Sequence, residues 1–264
     1  MGQTIKDYVK ASWQVLTGKR TRMEGYAVGL REREISGFID ISKPLRILDL
    51  ANGQLCPQYY LLKADGHQVT GIDLVNGRNT SWIDRGYRVA RWIYAWYAND
   101  RKGRLKETAL VCGDVSTLPF KDCTFDLVTS IAAFEHLQNV PAVVSEMQRV
   151  MKPGGVAWIS IHPFTSLSGA HNLRWKIGPI SELPHGVDAW DHLREQKLPV
   201  PDSVNRWRID QYLNVFVNYL EILKSYCFMV EGENLLMPKI IAELSAYSRV
   251  ELICATYIVL ARKR

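Results

Sequence analysis

Leu110-Val111-Cys112-Gly113-Asp114-Val115, followed by Leu118-Pro119-Phe120 and then Phe125-Asp126-Leu127-Val128, is the stretch on which the reading of this chain turns. One short apolar run ends in a carboxylate, and a second begins soon after it. Two upstream runs, Arg46-Ile47-Leu48-Asp49-Leu50 and Gln68-Val69-Thr70-Gly71-Ile72-Asp73, carry acids at the same place. In an open α/β sheet, ligands bind outside the carboxyl ends of the strands. A carboxylate there accepts a hydrogen bond from an exocyclic amine or a sugar hydroxyl. Asp49, Asp73 and Asp114 along one edge therefore point to a bound nucleoside.

Five β-type runs are visible: the two upstream runs, Ala109 to Val115, Phe125 to Ile131, and Val156 to Ile161. They are nearly continuous in apolar residues, as strands buried on both faces are. Helical stretches alternate with them. Pro57 to Ala64 opens with Pro in its first turn and stops before Asp65-Gly66. Pro141 to Met151 sets Val143, Val144, Met147 and Val150 at helical spacing and ends at Lys152-Pro153-Gly154-Gly155. This alternation predicts an α/β, doubly wound, mostly parallel sheet with helices on both faces. Two late apolar runs, Tyr226 to Val230 and Leu252 to Ala261, fit a hairpin-like pair at the sheet edge and bring the count to seven strands. They flank a helix near Pro238 to Tyr247, and Arg208 to Lys224 reads as another helix.

The organisation expected is one domain over residues 1–264. Residues 1–43 form a helical cap in which Tyr8, Trp13 and Leu16 pack over the front of the site, and 44–163 form the core. Residues 164–206, rich in Ser, Gly, Pro, His and Trp, form a lid-like insertion after the fifth strand, and 207–264 close the sheet.

Composition agrees with a soluble globular chain of 264 residues, 47% hydrophobic and 23% charged. No apolar stretch approaches the roughly 18 residues needed to span a bilayer. The start, Met1-Gly2-Gln3-Thr4-Ile5-Lys6, has neither a signal-peptide core nor the myristoylation pattern. Five cysteines without CxxC spacing read as reduced thiols, so a cytoplasmic location is expected.

The ordered set Ile47-Leu48-Asp49-Leu50-Ala51-Asn52-Gly53, Gly71-Ile72-Asp73-Leu74, Cys112-Gly113-Asp114-Val115, Leu118-Pro119-Phe120, Phe125 to Ser130, Phe134-Glu135-His136 and Val150-Met151-Lys152-Pro153-Gly154-Gly155 resembles the class I S-adenosylmethionine-dependent methyltransferases, in the branch acting on small molecules. The resemblance is strong over residues 44–163 and looser beyond. It implies a Rossmann-like fold, S-adenosylmethionine as cofactor and S-adenosylhomocysteine as product. Asp49, Ala51, Asn52 and Gly53 then form the loop that admits the amino-acid end, with Asn52 as the residue able to enter the left-handed region. Asp73, with Leu74 beside it, takes the ribose hydroxyls. Asp114 and the Val115 backbone face the adenine, and Ser130 faces the methionine portion. The loop departs from the family's D-x-G-x-G-x-G, with Leu55 where a third glycine is common. A dinucleotide-binding dehydrogenase would need G-x-G-x-x-G after the first strand, which is absent.

Methyl transfer from a sulfonium is an in-line displacement in which a base removes the acceptor's proton. Histidine suits that role. His136 and His162 at strand ends and His171 in the lid are the catalytic candidates, with His192 behind them and Glu135 placed to orient an imidazole. No metal-ligand spacing appears, so no metal is implied. The fourth strand lacks Asn/Asp-Pro-Pro-Tyr, which lowers methylation of nucleobase amines. The expectation is transfer to a small-molecule or lipid-linked acceptor, at oxygen rather than nitrogen.

Seven cations (Arg85, Arg88, Arg91, Arg101, Lys102, Arg104, Lys106) against one acid, Asp100, equal the net charge of +6. Over Arg85 to Tyr97 a helix would set Val89, Trp92, Ile93 and Trp96 on one side and the arginines on the other. Packing on the sheet with a solvated basic face is one reading. Peripheral contact with anionic membrane is a second, and nucleic acid, hence an RNA methyltransferase, a third. A non-catalytic partner subunit that binds S-adenosylmethionine is the alternative from outside enzymes, motivated by the altered glycine loop.

Overall fold

The computed structural model describes residue 13 and residues 16–53, 55–74, 82–97, 109–173 and 183–264. Tyr8, Gln54, Asp100, Arg101, Lys102, Arg104 and Lys106 lie outside the described residues, as do residues 174–182 of the expected lid.

Seven strands hydrogen-bond in the order β3-β2-β1-β4-β5-β7-β6. They are β1 Arg46–Leu50, β2 Gln68–Asp73, β3 Leu110–Cys112, β4 Phe125–Ile131, β5 Met151–Ile161, β6 Glu221–Val230 and β7 Cys254–Arg262. The helices are α1 Lys19–Ile35, α2 Pro57–Ala64, α3 Trp82–Tyr97, α4 Val140–Val150, α5 Ile209–Tyr219, α6 Pro238–Glu243 and α7 Arg249–Ile253. The chain divides into two compact units. The first holds residues 1–130, 145–158 and 262–264; the second holds 131–144 and 159–261.

In the first unit, β1 lies parallel to both β2 and β4, with Asp49 opposite Gly71 on one side and Thr129 on the other. Ile47, Leu48, Leu127 and Val128 are all buried, which accounts for the unbroken apolar runs. β4 spans the expected residues, whereas β3 keeps only Leu110–Cys112. The block Lys152-Pro153-Gly154-Gly155 does more than stop a helix, because β5 begins at Met151 and runs through it. Gly154 N donates to Lys263 O (3.0 Å) and Lys263 N donates to Gly155 O (2.9 Å), so the start of β5 meets the end of β7 and the two run antiparallel. A Cβ on Gly155 would sit 2.9 Å from Lys152 O and 3.2 Å from Asp126 O, so only glycine fits there.

Three expectations change. Trp13 and Leu16 do not pack inward, being 67% and 55% exposed; α1 instead buries Val28, Arg31 and Ile35. The helix expected to run to Lys224 ends at Tyr219, and Glu221 to Lys224 open β6. Good helix formers there are overridden by pairing with the sheet. The faces of α3 are reversed: Val89, Trp92 and Trp96 are 59%, 69% and 55% exposed, and Arg91 is buried. An amphipathic pattern shows that a helix has two faces but not which of them meets the protein.

The second unit takes its core from the stretch read as a lid. Residues 163–170 are buried without a break. Leu167 and Trp190 pack with Leu236, Leu244 and Leu252, and the Trp190 indole donates to Leu252 O at 2.9 Å.

Candidate functional site

The turn after β1 is left-handed at Ala51 (φ 50°), Gly53 (φ 65°) and Cys56 (φ 46°). Asn52, expected to adopt that conformation, does not; Ala51 adopts it instead. The Asn52 side chain occupies the space above Gly71, where a Cβ would lie 2.6 Å from its Nδ2. Glycine in the middle of β2 is thus what lets the loop fold down on the sheet. Gly53 N donates to Asp73 Oδ2 at 2.9 Å, so the acid assigned to the ribose also holds the loop. Leu74 beside it is 60% exposed.

Asp114 is exposed and accepts Ser116 N on Oδ1 at 2.8 Å, an Asx turn that leaves Val115 buried. The following turn is latched from α4. Glu146 accepts Leu118 N (2.7 Å), and Arg149 donates to Leu118 O (2.9 Å) and Phe120 O (2.7 Å). Ser130 is fully buried and its hydroxyl donates to Leu50 O at 3.1 Å, so it supports the end of β1.

Arg31, which carried no weight in the sequence, stands out in the first unit. Its guanidinium is fully buried, donating from Nη1 to Thr129 Oγ1 (3.0 Å) and Gln58 Oε1 (3.2 Å) and lying 5.7 Å from the Trp158 ring. Nε and Nη2 are buried with no hydrogen-bond partner. Burial pulls its pKa down to about 10, opposed by the charge of Asp49, so it stays cationic near neutrality. A buried cation with orphaned donors is costly unless a ligand supplies the anion. Its signal was present, since Val28, Arg31 and Ile35 lie at helical spacing and Arg31 interrupts an apolar stripe.

The second unit gathers the histidines. Glu135 and His136 lie on the single 3-10 turn Phe134–His136, His162 follows β5, and His171 sits in a left-handed conformation (φ 55°). The ring of His171 lies 4.8 Å from that of His136 and 5.0 Å from that of His162. His162 Nε2 meets Ser168 Oγ at 2.9 Å, and that hydroxyl donates to Glu231 Oε1 at 2.7 Å. His136 is exposed, its Nδ1 3.2 Å from Ser203 O. His192 stands apart, with Nε2 2.9 Å from Phe164 O. Glu135 is fully buried; Oε2 accepts His162 N at 3.4 Å, and Oε1 has no partner. Asn205 fixes this turn by donating to Phe134 O and Leu137 O, each at 2.8 Å.

Desolvation governs the protonation of this cluster. It pushes Glu135 up to about 8 and drives His162 down to about 3 and His171 and His192 down to about 4, the neighbouring imidazoles adding to the fall for His162 and His171. The stabilising contribution of Glu135 is complete below the ordinary carboxylate range and is lost as pH rises through about 8. The imidazoles contribute fully above about 6.5 and lose that contribution as pH falls towards their folded values. Between these ranges three imidazoles oppose one carboxyl. Each proton changes stability by about 1.4 kcal/mol per pH unit. Melting followed by circular dichroism in chelator-treated buffer should therefore show a maximum near pH 6.5, with the acid limb the steeper. A midpoint flat from pH 5 to 8 would rule out this protonation scheme.

Residues 48–159 match the family model for a methyltransferase domain. An S-adenosylmethionine-dependent methyltransferase of Mesorhizobium loti shares the fold, with a TM-score of 0.51 at 20% identity over 87% of this chain and 96% of that one. The chain belongs to the class I S-adenosylmethionine-dependent methyltransferase family. A sterol 24-C-methyltransferase of Gibberella zeae is 25% identical over 242 residues, 84% of this chain and 60% of that protein. A squalene methyltransferase of Botryococcus braunii is 28% identical over 146 residues, 54% of this chain and 35% of that protein. The chain thus spans less than two thirds of the length of these curated relatives.

The residues of this methyltransferase domain fit its cofactor. The amino-acid end of S-adenosylmethionine carries a carboxylate, and the orphaned Nε and Nη2 of Arg31 are the buried donors such a group satisfies. Asp73 and Asp114 stand at the ends of β2 and β3, where ribose and adenine bind in this fold.

Proposed function

We propose that the chain transfers the methyl group of S-adenosylmethionine to a hydroxyl oxygen of a small-molecule or lipid-linked acceptor, working peripherally at an anionic membrane surface. The observation that carries this reading is the outer face of α3. Val89, Trp92 and Trp96 are all more than half exposed and fall within about 60° of helical arc at 100° per residue. Arg88, also exposed, flanks them. Indole rings beside a guanidinium suit the interface of an anionic bilayer. Among the described residues no helix is long and apolar enough to cross a membrane, so the contact proposed is with its surface.

S-adenosylmethionine supplies an electrophilic methyl on sulfur. The protein's part is alignment and removal of the acceptor's proton. His136, His162 and His171 are the proposed acceptors of that proton. His162 and His171 are held neutral by burial, and an ionised Glu135 beside them would stabilise the imidazolium formed. The relatives favour a second reading, transfer to carbon, because two of them are a sterol 24-C-methyltransferase and a squalene methyltransferase.

The test incubates the protein with methyl-labelled S-adenosylmethionine and vesicles containing an anionic phospholipid and a lipid extract. The expected result is flotation with the vesicles, lost in Trp92→Asp, and label in the organic phase as an O-methyl group by NMR. A C-methyl product establishes the carbon reading. Label in added RNA, with binding that weakens steeply with salt, establishes an RNA methyltransferase. Cofactor binding without transfer to any acceptor makes the chain a partner subunit.

A further inference from the structure

We propose that Glu135, His162 and His171 form a binding site for one divalent transition-metal ion of the zinc class. The three side chains come from separate segments, 27 and 9 residues apart, and offer one ligand atom each, all within 4.8 Å of one another. Two of those side chains hold buried atoms with no hydrogen-bond partner, Glu135 Oε1 and His171 Nε2. Glu135 is fully buried. Polar atoms left in this state are rare in a folded protein and need a compensating ligand.

The chemistry of the set selects the ion. Two imidazole nitrogens and one carboxylate oxygen suit zinc and its neighbours, whereas magnesium and calcium favour oxygen alone. Three protein ligands leave a fourth tetrahedral position for water. The support around His162 has the form a metal-bound imidazole needs. The Ser168 hydroxyl donates to Glu231 Oε1, so it accepts from His162 Nε2–H, and the lone pair of the neutral ring is then on Nδ1. The carboxyl at position 135, pushed up to about 8 by burial, would ionise against a cation. The left-handed backbone of His171 (φ 55°) is the kind of strain found where a side chain must be aimed. With bonds of about 2.1 Å, tetrahedral ligand atoms lie about 3.4 Å apart, so binding tightens the triangle by up to about 1.4 Å.

The test measures metal rather than methyl transfer, so it stands or falls apart from the function proposed above. Protein stripped by chelator and dialysed is titrated with zinc sulfate by calorimetry, with bound metal counted by mass spectrometry. One ion per chain is expected. Glu135→Gln, which keeps shape, and His171→Asn, which tolerates the left-handed backbone, should each weaken binding by about a hundredfold. The exposed His185→Asn should bind as wild type does. Should either variant fold poorly, cobalt(II) added to wild-type protein gives the intense visible bands of a tetrahedral nitrogen and oxygen site. Absence of zinc uptake and of those bands overturns the proposal. Uptake that is unchanged in both Glu135→Gln and His171→Asn overturns it equally.

Discussion

Arg31→Met is expected to leave the protein as stable as wild type, or more so, while weakening S-adenosylmethionine binding by about a hundredfold. The wild-type guanidinium is fully buried, and two of its nitrogens have no partner. Replacing a poorly compensated buried charge with an apolar side chain of similar length is often neutral or stabilising. The charge-assisted bonds to a ligand carboxylate are lost at the same time, worth about 3 kcal/mol in a buried setting. A ligand lacking the amino-acid end separates the two effects. 5′-Methylthioadenosine should bind wild type and Arg31→Met alike, whereas S-adenosylmethionine and S-adenosylhomocysteine should not. Calorimetric titration of both proteins with all three ligands decides it. An equal loss for 5′-methylthioadenosine would mean that Arg31 shapes the fold and not the ligand's carboxylate.

Gly169→Ala should be the most damaging single methyl group in the second unit. A Cβ there collides with the carbonyl oxygen of Pro163 and lies 2.5 Å from that of Phe164, both backbone atoms that cannot swing aside. These carbonyls belong to a run of tight turns in which Ser166 N bonds Pro163 O, Gly169 N bonds Ser166 O and His171 N bonds Ser168 O, at 3.0–3.1 Å. Overpacking against fixed backbone costs about 3 kcal/mol, which lowers the melting midpoint by roughly 6–12 °C. Gly37→Ala, whose Cβ meets nothing within 4 Å, is the matched control and should melt with wild type. Equal midpoints for the two variants would show that the 163–171 turns yield more easily than their packing indicates.

The central strands were legible because one physical demand wrote them: β1 and β4 are buried on both faces, so nearly every residue had to be apolar. The acids closing the upstream strands were legible for the complementary reason, since a carboxylate after such a run needs a solvent or ligand partner. Elsewhere the deciding contact is distant in sequence. Glu221 to Lys224 have helical propensity, and only pairing with β7 makes them strand. The pattern of α3 revealed two faces and not the outward one. Ala51 took the left-handed turn from Asn52 because Asn52 was needed against Gly71, a neighbour on another strand. Arg31 looked like one cation among many until the helix put it between Val28 and Ile35. Glu135, His162 and His171 show no ligand spacing at all, because the fold and not the chain makes them neighbours.

β7 follows β6 along the chain, yet it lies between β5 and β6 in the sheet. During synthesis β6 therefore emerges before its hydrogen-bonding neighbour exists. Until Cys254–Arg262 has cleared the ribosome, the backbone donors and acceptors of Glu221–Val230 have no β7 to pair with. That is the window in which an open strand edge invites mispairing between nascent chains. Loss of β7 would thus remove two interfaces rather than one, leaving β6 stranded and β5 as a new edge.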